Sequence, residues 1–382
     1  MYMKRRIKVA EVVTRLEYGG VESVILNYIN HMEEREEFEI HVITQDINNT
    51  GCINLFEESG CIVHIITHKR KNILKNLIEL NQILKREKFS IIHSHMNLTN
   101  FYVLVLGRIH GCKNRISHVH SVLKANSFLK KICYKIIFLI NRLAANKYIT
   151  CGIEAGNVYF GKKYMEKGKV KLFPNAVDME KFQYNEFLRS RIREKYGIKE
   201  DELVIGHIGR FTQVKNHIFL LQILKCMLGK KMKARLMLVG GGELLEEIKE
   251  EARKLGIFNN IVFVGNTNKT FEYYQAMDVF VLPSFYEGIP VVAVEAQCSA
   301  LPCILSDNID KSCKIFEDVQ FLSLDVPIEE WINSILEYRI HSRSREVKKQ
   351  ICEAGYDILT EANLLAKFYK ECVEKNRGRK NV

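Results

Sequence analysis

The chain has 382 residues, the length of two domains. With 47% hydrophobic and 27% charged residues, five prolines and 22 glycines, it is neither disordered nor collagen-like, and it has little room for a long flexible linker. The whole net charge of +12 lies within residues 1–175, and from Lys88 to Ile153 basic residues occur with no acidic one. Such a field suits a polyanion or an anionic membrane face, or is simply a solvated basic surface.

The eleven cysteines form no C-x-x-C pair, which fits small buried thiols in a reducing compartment better than a disulfide framework. The start Met1–Ala10 is basic like a signal peptide, but Glu11, Arg15 and Glu17 interrupt any apolar stretch after it. No run approaches the ~20 apolar residues needed to cross a bilayer. Together these point to a cytoplasmic protein.

Taken in chain order, the first half alternates strands with helical patterns. Strands are expected at Ile7–Thr14, Glu39–Thr44, Cys61–Thr67, Ser90–His95, Arg115–His120, Lys147–Cys151 and Lys169–Phe173, with helices such as Val21–Met32, Ile73–Arg86 and Leu129–Ala145 between them. The strands are almost wholly apolar, as strands buried on both faces must be. The second half repeats the pattern, with strands at Leu203–Gly209, Arg235–Val239, Ile261–Gly265, Val279–Pro283 and Pro302–Ser306 and helices at Asn216–Leu228 and Glu243–Leu255. The last thirty residues read as helix. Pro174–Asn175 and the charged stretch Glu186–Glu202 fall between the halves. The architecture implied is α/β, with two Rossmann-like parallel-sheet domains facing across a cleft. Ligands of such sheets sit beyond the carboxyl ends of the strands.

Three loops stand there. Gly19-Gly20 leads into a helix and reads either as a close approach to an anion at free N–H groups or as a plain tight turn. Arg210 and Lys215 share the loop after the first strand of the second half. Two fixed cations suit a diphosphate, although ordinary surface charges give the same pattern. Glu287 follows a strand, and Glu295 lies eight residues on, inside an apolar helix that starts at Pro290. A carboxylate there matches the two hydroxyls of a ribose, or pairs with a basic residue.

Gly-Gly-Val-Glu, Gly209-Arg210-Phe211 with Lys215-Asn216-His217, the Val239–Glu243 turn and the glutamates eight apart resemble glycosyltransferase family 4. Tyr148–Gly156 and Phe173–Asp178 resemble its capsule and exopolysaccharide branch. The resemblance implies a GT-B fold: residues 1–176 an acceptor-side domain, 177–358 a nucleotide-sugar-binding domain, and 359–382 a helix returning toward the first domain. It implies a retaining transfer from a nucleotide-diphosphate sugar, UDP-linked by expectation, to a growing, lipid-linked saccharide, with no cofactor and no metal. The alternative is a non-catalytic GT-B scaffold subunit. By position, Arg210 and Lys215 hold the diphosphate, with side chains free of the fold. Glu287 binds sugar hydroxyls, Glu295 the ribose, Gly19 and Gly20 face the phosphates, and His120 is the active-site histidine. The chain departs from the pattern at Ala300, where the branch carries glycine, which leaves the local backbone angle open.

His93 and His95, and His118 and His120, form two H-x-H pairs that each share one face of a strand. Two ligands and no nearby acid are too few for a metal centre, so His93, His95 and His118 are expected to be structural or cleft-lining. There is no D-x-D for a divalent ion. A dehydrogenase lacks its G-x-G-x-x-G, and a nucleic-acid-binding protein has only the charge in its favour. An anionic membrane surface at the inner face of the cell membrane is the further partner. Lys124, Lys130, Lys131 and Lys135 interleave with Phe128, Leu129, Ile132, Ile136, Ile137 and Phe138; the apolar side equally suits packing on the sheet with the lysines solvated.

Overall fold

The computed structural model describes residues 6–16, 19–45, 50–121, 127–338, 343 and 346–378. The chain divides into two units, Met1–Ala176 with Ile358–Val382, and Val177–Asp357.

The first unit is a seven-stranded parallel sheet built from β1 (Ile7–Val12), β2 (Phe38–Thr44), β3 (Ile62–Ile65), β4 (Ile91–Ser94), β5 (Asn114–Val119), β6 (Lys147–Thr150) and β7 (Val170–Leu172). Their spatial order is β3-β2-β1-β4-β5-β6-β7. The inner strands are buried along nearly their whole length, whereas β3 at the edge is half open to solvent. That is why alternation is absent from the former. The register sets Glu11 of β1 beside His93 of β4. The C-terminal helix Ile358–Gly378 belongs to this unit and packs on the helix Gly20–His31.

The second unit repeats the plan with β8 (Leu203–Ile208), β9 (Ala234–Val239), β10 (Ile261–Gly265), β11 (Val279–Leu282), β12 (Cys303–Ser306) and β13 (Val319–Leu322), ordered β10-β9-β8-β11-β12-β13. The edge strand β13 is not among the expected strands. Its four residues, Val-Gln-Phe-Leu, are mostly half-buried and carry too little pattern to stand out. Trp331 anchors the core on one face, edge-on to Phe219 at 5.2 Å, with its indole N–H donated to the Ser323 carbonyl at 3.0 Å.

The charged stretch expected between the halves lies inside the second unit. Its helix Glu186–Lys195 turns Arg189 and Arg193 onto opposite oxygens of Asp278, each at 2.6 Å. Asp278 also accepts the Val204 amide at 2.7 Å, tying the helix to the start of β8.

Order reverses between β1 and β4 in one sheet and between β8 and β11 in the other. At such a reversal, crossover connections leave in opposite directions and open a crevice at the carboxyl ends.

Ala300 answers the question raised by its departure from glycine. It has φ 51°, the left-handed region. Its amide bonds the Gln297 carbonyl at 3.0 Å and the Leu301 amide bonds the Ala296 carbonyl at 3.0 Å, the paired closure of a helix end that favours glycine. The buried Arg343 accepts this geometry, donating from Nε and Nη2 to the Ser299 carbonyl at 3.0 and 2.6 Å. Ala300→Gly is expected to raise the melting temperature, with a gain of up to about 1 kcal/mol because relief of left-handed strain exceeds the added unfolded-state entropy. Thermal denaturation checks it; a lower melting temperature contradicts it.

Candidate active site

In the second unit, β8 is followed by Gly209, whose added Cβ would meet the Lys215 stem at 3.3 Å. The loops after β8 and β9 then cross so closely that only glycines fit. A Cβ on Gly240 (φ 135°) would stand 2.2 Å from the Gly209 carbonyl oxygen, and one on Gly242 (φ 153°) 2.6 Å from that of Phe211. Phe211 is the loop's anchor, buried and stacked on His217 at 4.0 Å, so its neighbour Arg210 projects outward. Arg210 is about half exposed and lies 3.3 Å from Glu243 of the turn after β9.

Lys215 behaves differently. Its ammonium lies 2.7 and 2.8 Å from the two oxygens of Glu287, both side chains being mostly buried. Ser284 donates to the same carboxylate at 2.5 Å. The loops that carry the pair follow β8 and β11, the strands that flank the reversal, and are joined by the Phe285 amide on the Val214 carbonyl at 2.9 Å. Lys215 is therefore not free of the fold, as the sequence led one to expect. It is the counter-ion of Glu287.

Glu295 is brought to neither. It sits in the helix Val291–Cys298, for which Pro290 is the cap rather than the first helical residue. Buried, it accepts the Tyr274 hydroxyl at 2.8 Å. Burial pushes its carboxyl up to about 7, against the lowering pull of that hydrogen bond and of Lys181. At neutral pH this group exists in both protonation states and can accept or donate to a hydroxyl.

In the first unit Gly19 caps the helix Gly20–His31 in an extended conformation open to any residue. A Cβ there would approach only the mobile end of Glu22, so the fold of this unit does not itself require a glycine at 19.

His120 lies just beyond β5 and is not alone. The two H-x-H pairs stand on adjacent strands, β4 and β5, as one stacked cluster. His118 and His120 are 4.0 Å apart between ring centroids, and His93 and His95 are 4.2 Å apart. Glu11 from β1 and Tyr369 from the C-terminal helix complete it. All six side chains are buried. Burial, reinforced by neighbouring imidazoles, holds His118 and His120 well below the usual histidine range. His95 falls to about 4, as burial and His93 outweigh Glu11. Burial alone would raise the Glu11 carboxyl, but His93 and His95 reverse this and keep it far below the carboxylate range.

The count of two ligands made within one strand is thus too low. Ligand atoms of His93, His95 and His118 lie within 4.8 Å of one another, and with Glu11 they line part of a cavity of about 20 Å³, the volume of about one water, whose remaining lining is largely apolar, including Val24, Ile25, Ile29 and Met32. Most of their nitrogens, however, already face a hydrogen-bond partner. Glu11 and Tyr369 are the members that sequence reasoning missed. A carboxylate inside the apolar run Val9–Val13 was the available signal for the first; for Tyr369 there was none.

Residues 18–181 match the family described as Glycosyltransferase Family 4, and residues 189–345 match Glycosyl transferases group 1. The chain is 30% identical to the glycosyltransferase EpsF of Bacillus subtilis, over 97% of this chain and 98% of that protein. It is 24% identical to the UDP-Gal:alpha-D-GlcNAc-diphosphoundecaprenol alpha-1,3-galactosyltransferase of Escherichia coli, over 96% and 98%. The crystal structure of Anabaena HepE with UDP and glucose superposes with a TM-score of 0.73 at 15% identity, covering 98% of this chain and all of that one. With its two parallel-sheet units of GT-B type, the chain belongs to glycosyltransferase family 4.

Proposed function

We propose that this protein is a retaining, metal-independent glycosyltransferase that moves a sugar from a nucleotide-diphosphate donor, UDP-linked, to a lipid-linked saccharide in capsular or exopolysaccharide assembly. The observation that carries it is the Lys215–Glu287 pair at the sheet reversal of the second unit. As the glycosidic bond to the diphosphate breaks, negative charge grows on the leaving phosphate. Lys215 and Arg210 supply fixed positive charge that costs no reorganisation at that moment. Each is now opposite a carboxylate, so a diphosphate exchanges one anionic partner for another and leaves no cation bare.

Glu287, released from part of its hold on Lys215, accepts sugar hydroxyls, and Glu295 meets the ribose. The neutral His120 offers a lone pair to a hydroxyl and no charge to a phosphate. The donor and lipid carrier named for the E. coli relative support the choice of substrates. UDP-galactose holds its sugar in α linkage, so the α product in that relative's name is net retention.

The helix Phe128–Ala144 supports work at a membrane. Ile132, Ile136, Leu139, Ile140 and Leu143 form an exposed stripe, with Phe128 and Leu129 about three-quarters exposed at its start. Lys130, Lys131 and Lys135 are exposed beside it; Lys124 lies outside the described residues. The apolar side does not all pack on the sheet: Phe138 turns inward onto Tyr159 at 4.5 Å while the stripe stays open. Among the described residues no helix is long and apolar enough to cross a membrane. Each lysine near an anionic surface contributes ~1 kcal/mol.

Arg210→Ala and Lys215→Ala are each expected to lower turnover on the order of 10²-fold. They should differ in stability. Lys215→Ala leaves Glu287 mostly buried and unpaired and costs about 1–3 kcal/mol, whereas the half-exposed Arg210 costs little. Equal melting temperatures in the two variants contradict the pairing. Glu295→Gln should weaken nucleotide binding and Glu287→Gln should lower turnover with nucleotide binding kept, which titration calorimetry beside initial rates will separate. Transfer should survive excess EDTA; loss in chelator, restored by Mn²⁺ or Mg²⁺, refutes metal independence. In flotation with phosphatidylglycerol vesicles the protein should rise at low salt and stay down at high salt, or when Lys130, Lys131 and Lys135 become Glu.

A further inference from the structure

Two hydrogen-bond chains leave the Glu11 carboxylate, one from each oxygen. On one side Oε2 lies 2.7 Å from His95 Nε2, and His95 Nδ1 lies 2.8 Å from His120 Nε2. On the other side Oε1 accepts the Tyr369 hydroxyl at 2.7 Å. That hydroxyl oxygen lies 2.5 Å from His93 Nδ1, and His93 Nε2 lies 3.0 Å from His118 Nδ1.

An ionised carboxylate only accepts, so His95 donates through Nε2 and Tyr369 through its hydroxyl. With all four imidazoles taken as neutral, each carries one N–H, and the direction propagates outward. His95 Nδ1 accepts, so His120 holds its proton on Nε2. His93 donates Nδ1–H to Tyr369 and accepts at Nε2, so His118 holds its proton on Nδ1. The outer nitrogens, His120 Nδ1 and His118 Nε2, are then unprotonated. These same two atoms are buried and have no hydrogen-bond partner among the described residues. A buried acceptor left open is costly, and one at the carboxyl end of a parallel sheet marks a place for a donor to arrive.

We propose that Glu11 is a positioning residue that directs both chains, holding His120 with a bare Nδ1 and His118 with a bare Nε2 as paired acceptors for the hydroxyl groups of a sugar. The inference rests on the reading of this protein as a glycosyltransferase in which His120 meets substrate. It gives the C-terminal helix a role as well: Tyr369, 358 residues from Glu11, carries the second chain. Two lone pairs on rings stacked 4.0 Å apart between centroids suit hydroxyl donors and repel phosphate oxygens. A divalent ion on His93, His95 and His118 would need lone pairs that the chains already use.

The test is ¹H–¹⁵N long-range correlation NMR on the full chain labelled with ¹⁵N-histidine, each ring assigned by a single His→Gln variant. The expected pattern is Nε2–H for His95 and His120 and Nδ1–H for His93 and His118; any other pattern overturns the inference, as does one equivalent of bound zinc that abolishes these N–H signals. Glu11→Gln presents one acceptor and one donor, so one of the two chains must reverse and two of the four rings must change tautomer. Tyr369→Phe should leave His95 and His120 unchanged, and serves as the variant if Glu11→Gln does not fold. Where His120 is the ring reversed, turnover should fall ~10-fold or more with nucleotide binding intact. Wild-type turnover with a reversed His120 overturns the positioning role and leaves glycosyl transfer standing. A wild type inert toward every donor overturns glycosyl transfer, while the tautomer pattern still decides the role of Glu11.

Discussion

The reversal of strand order in each parallel sheet is the constraint from which the candidate site follows. Parallel strands share one carboxyl end, and helices cover both faces, so loops can gather polar groups only beyond that end. At the reversal the crossovers part and leave the loops of two adjacent strands without a helix between them. In the second unit those loops carry Gly209–Lys215 and Pro283–Glu287, and the ion pair of Lys215 and Glu287 joins them. In the first unit the two strands carry Glu11 and His93–His95, and the same adjacency starts the histidine cluster. The strands behind both places are buried along nearly their whole length, which makes these positions rigid.

Three glutamates in this setting show three ways to bury a carboxylate. Glu287 has a full counter-charge from Lys215 and a hydroxyl from Ser284. Glu295 accepts the Tyr274 hydroxyl and feels Lys181, and burial outweighs both, raising its carboxyl to about 7. Glu11 is held far below the carboxylate range by His93 and His95 against its burial, and its other oxygen accepts the Tyr369 hydroxyl. The difference matters for chemistry. An ion pair can exchange partners with a phosphate, a titrating carboxyl can serve a hydroxyl in either sense, and a carboxylate locked by neutral donors can orient them.

The basic charge is equally divided by role. Within the second unit Arg189 and Arg193 are spent on Asp278 and Arg343 on backbone carbonyls, so they build the fold. On the helix Phe128–Ala144 of the first unit the lysines are solvated beside an open apolar stripe. Sequence counting treats these cations alike; burial separates them.

The sequence by itself determined the α/β class and all but one of the thirteen strands among the described residues, because strands buried on both faces are apolar nearly throughout and leave an unmistakable run. Spacing around strand ends, which is local, singled out Arg210, Lys215, Glu287 and Glu295 as candidates, and the family resemblance singled out His120. The sequence missed β13, where four half-buried residues at an edge carry no run. Partners were decided only by tertiary structure. Lys215 meets Glu287 across 72 residues, Glu295 meets Tyr274, and Glu11 meets Tyr369 across nearly the whole chain. Such pairings depend on strand order, which reverses for reasons of crossover handedness and packing that no local window contains. The histidines show the division most clearly. Two H-x-H pairs were visible as one face of each strand, but only the adjacency of β4 and β5, with β1 beside them, turned four separate imidazoles into one network with a direction.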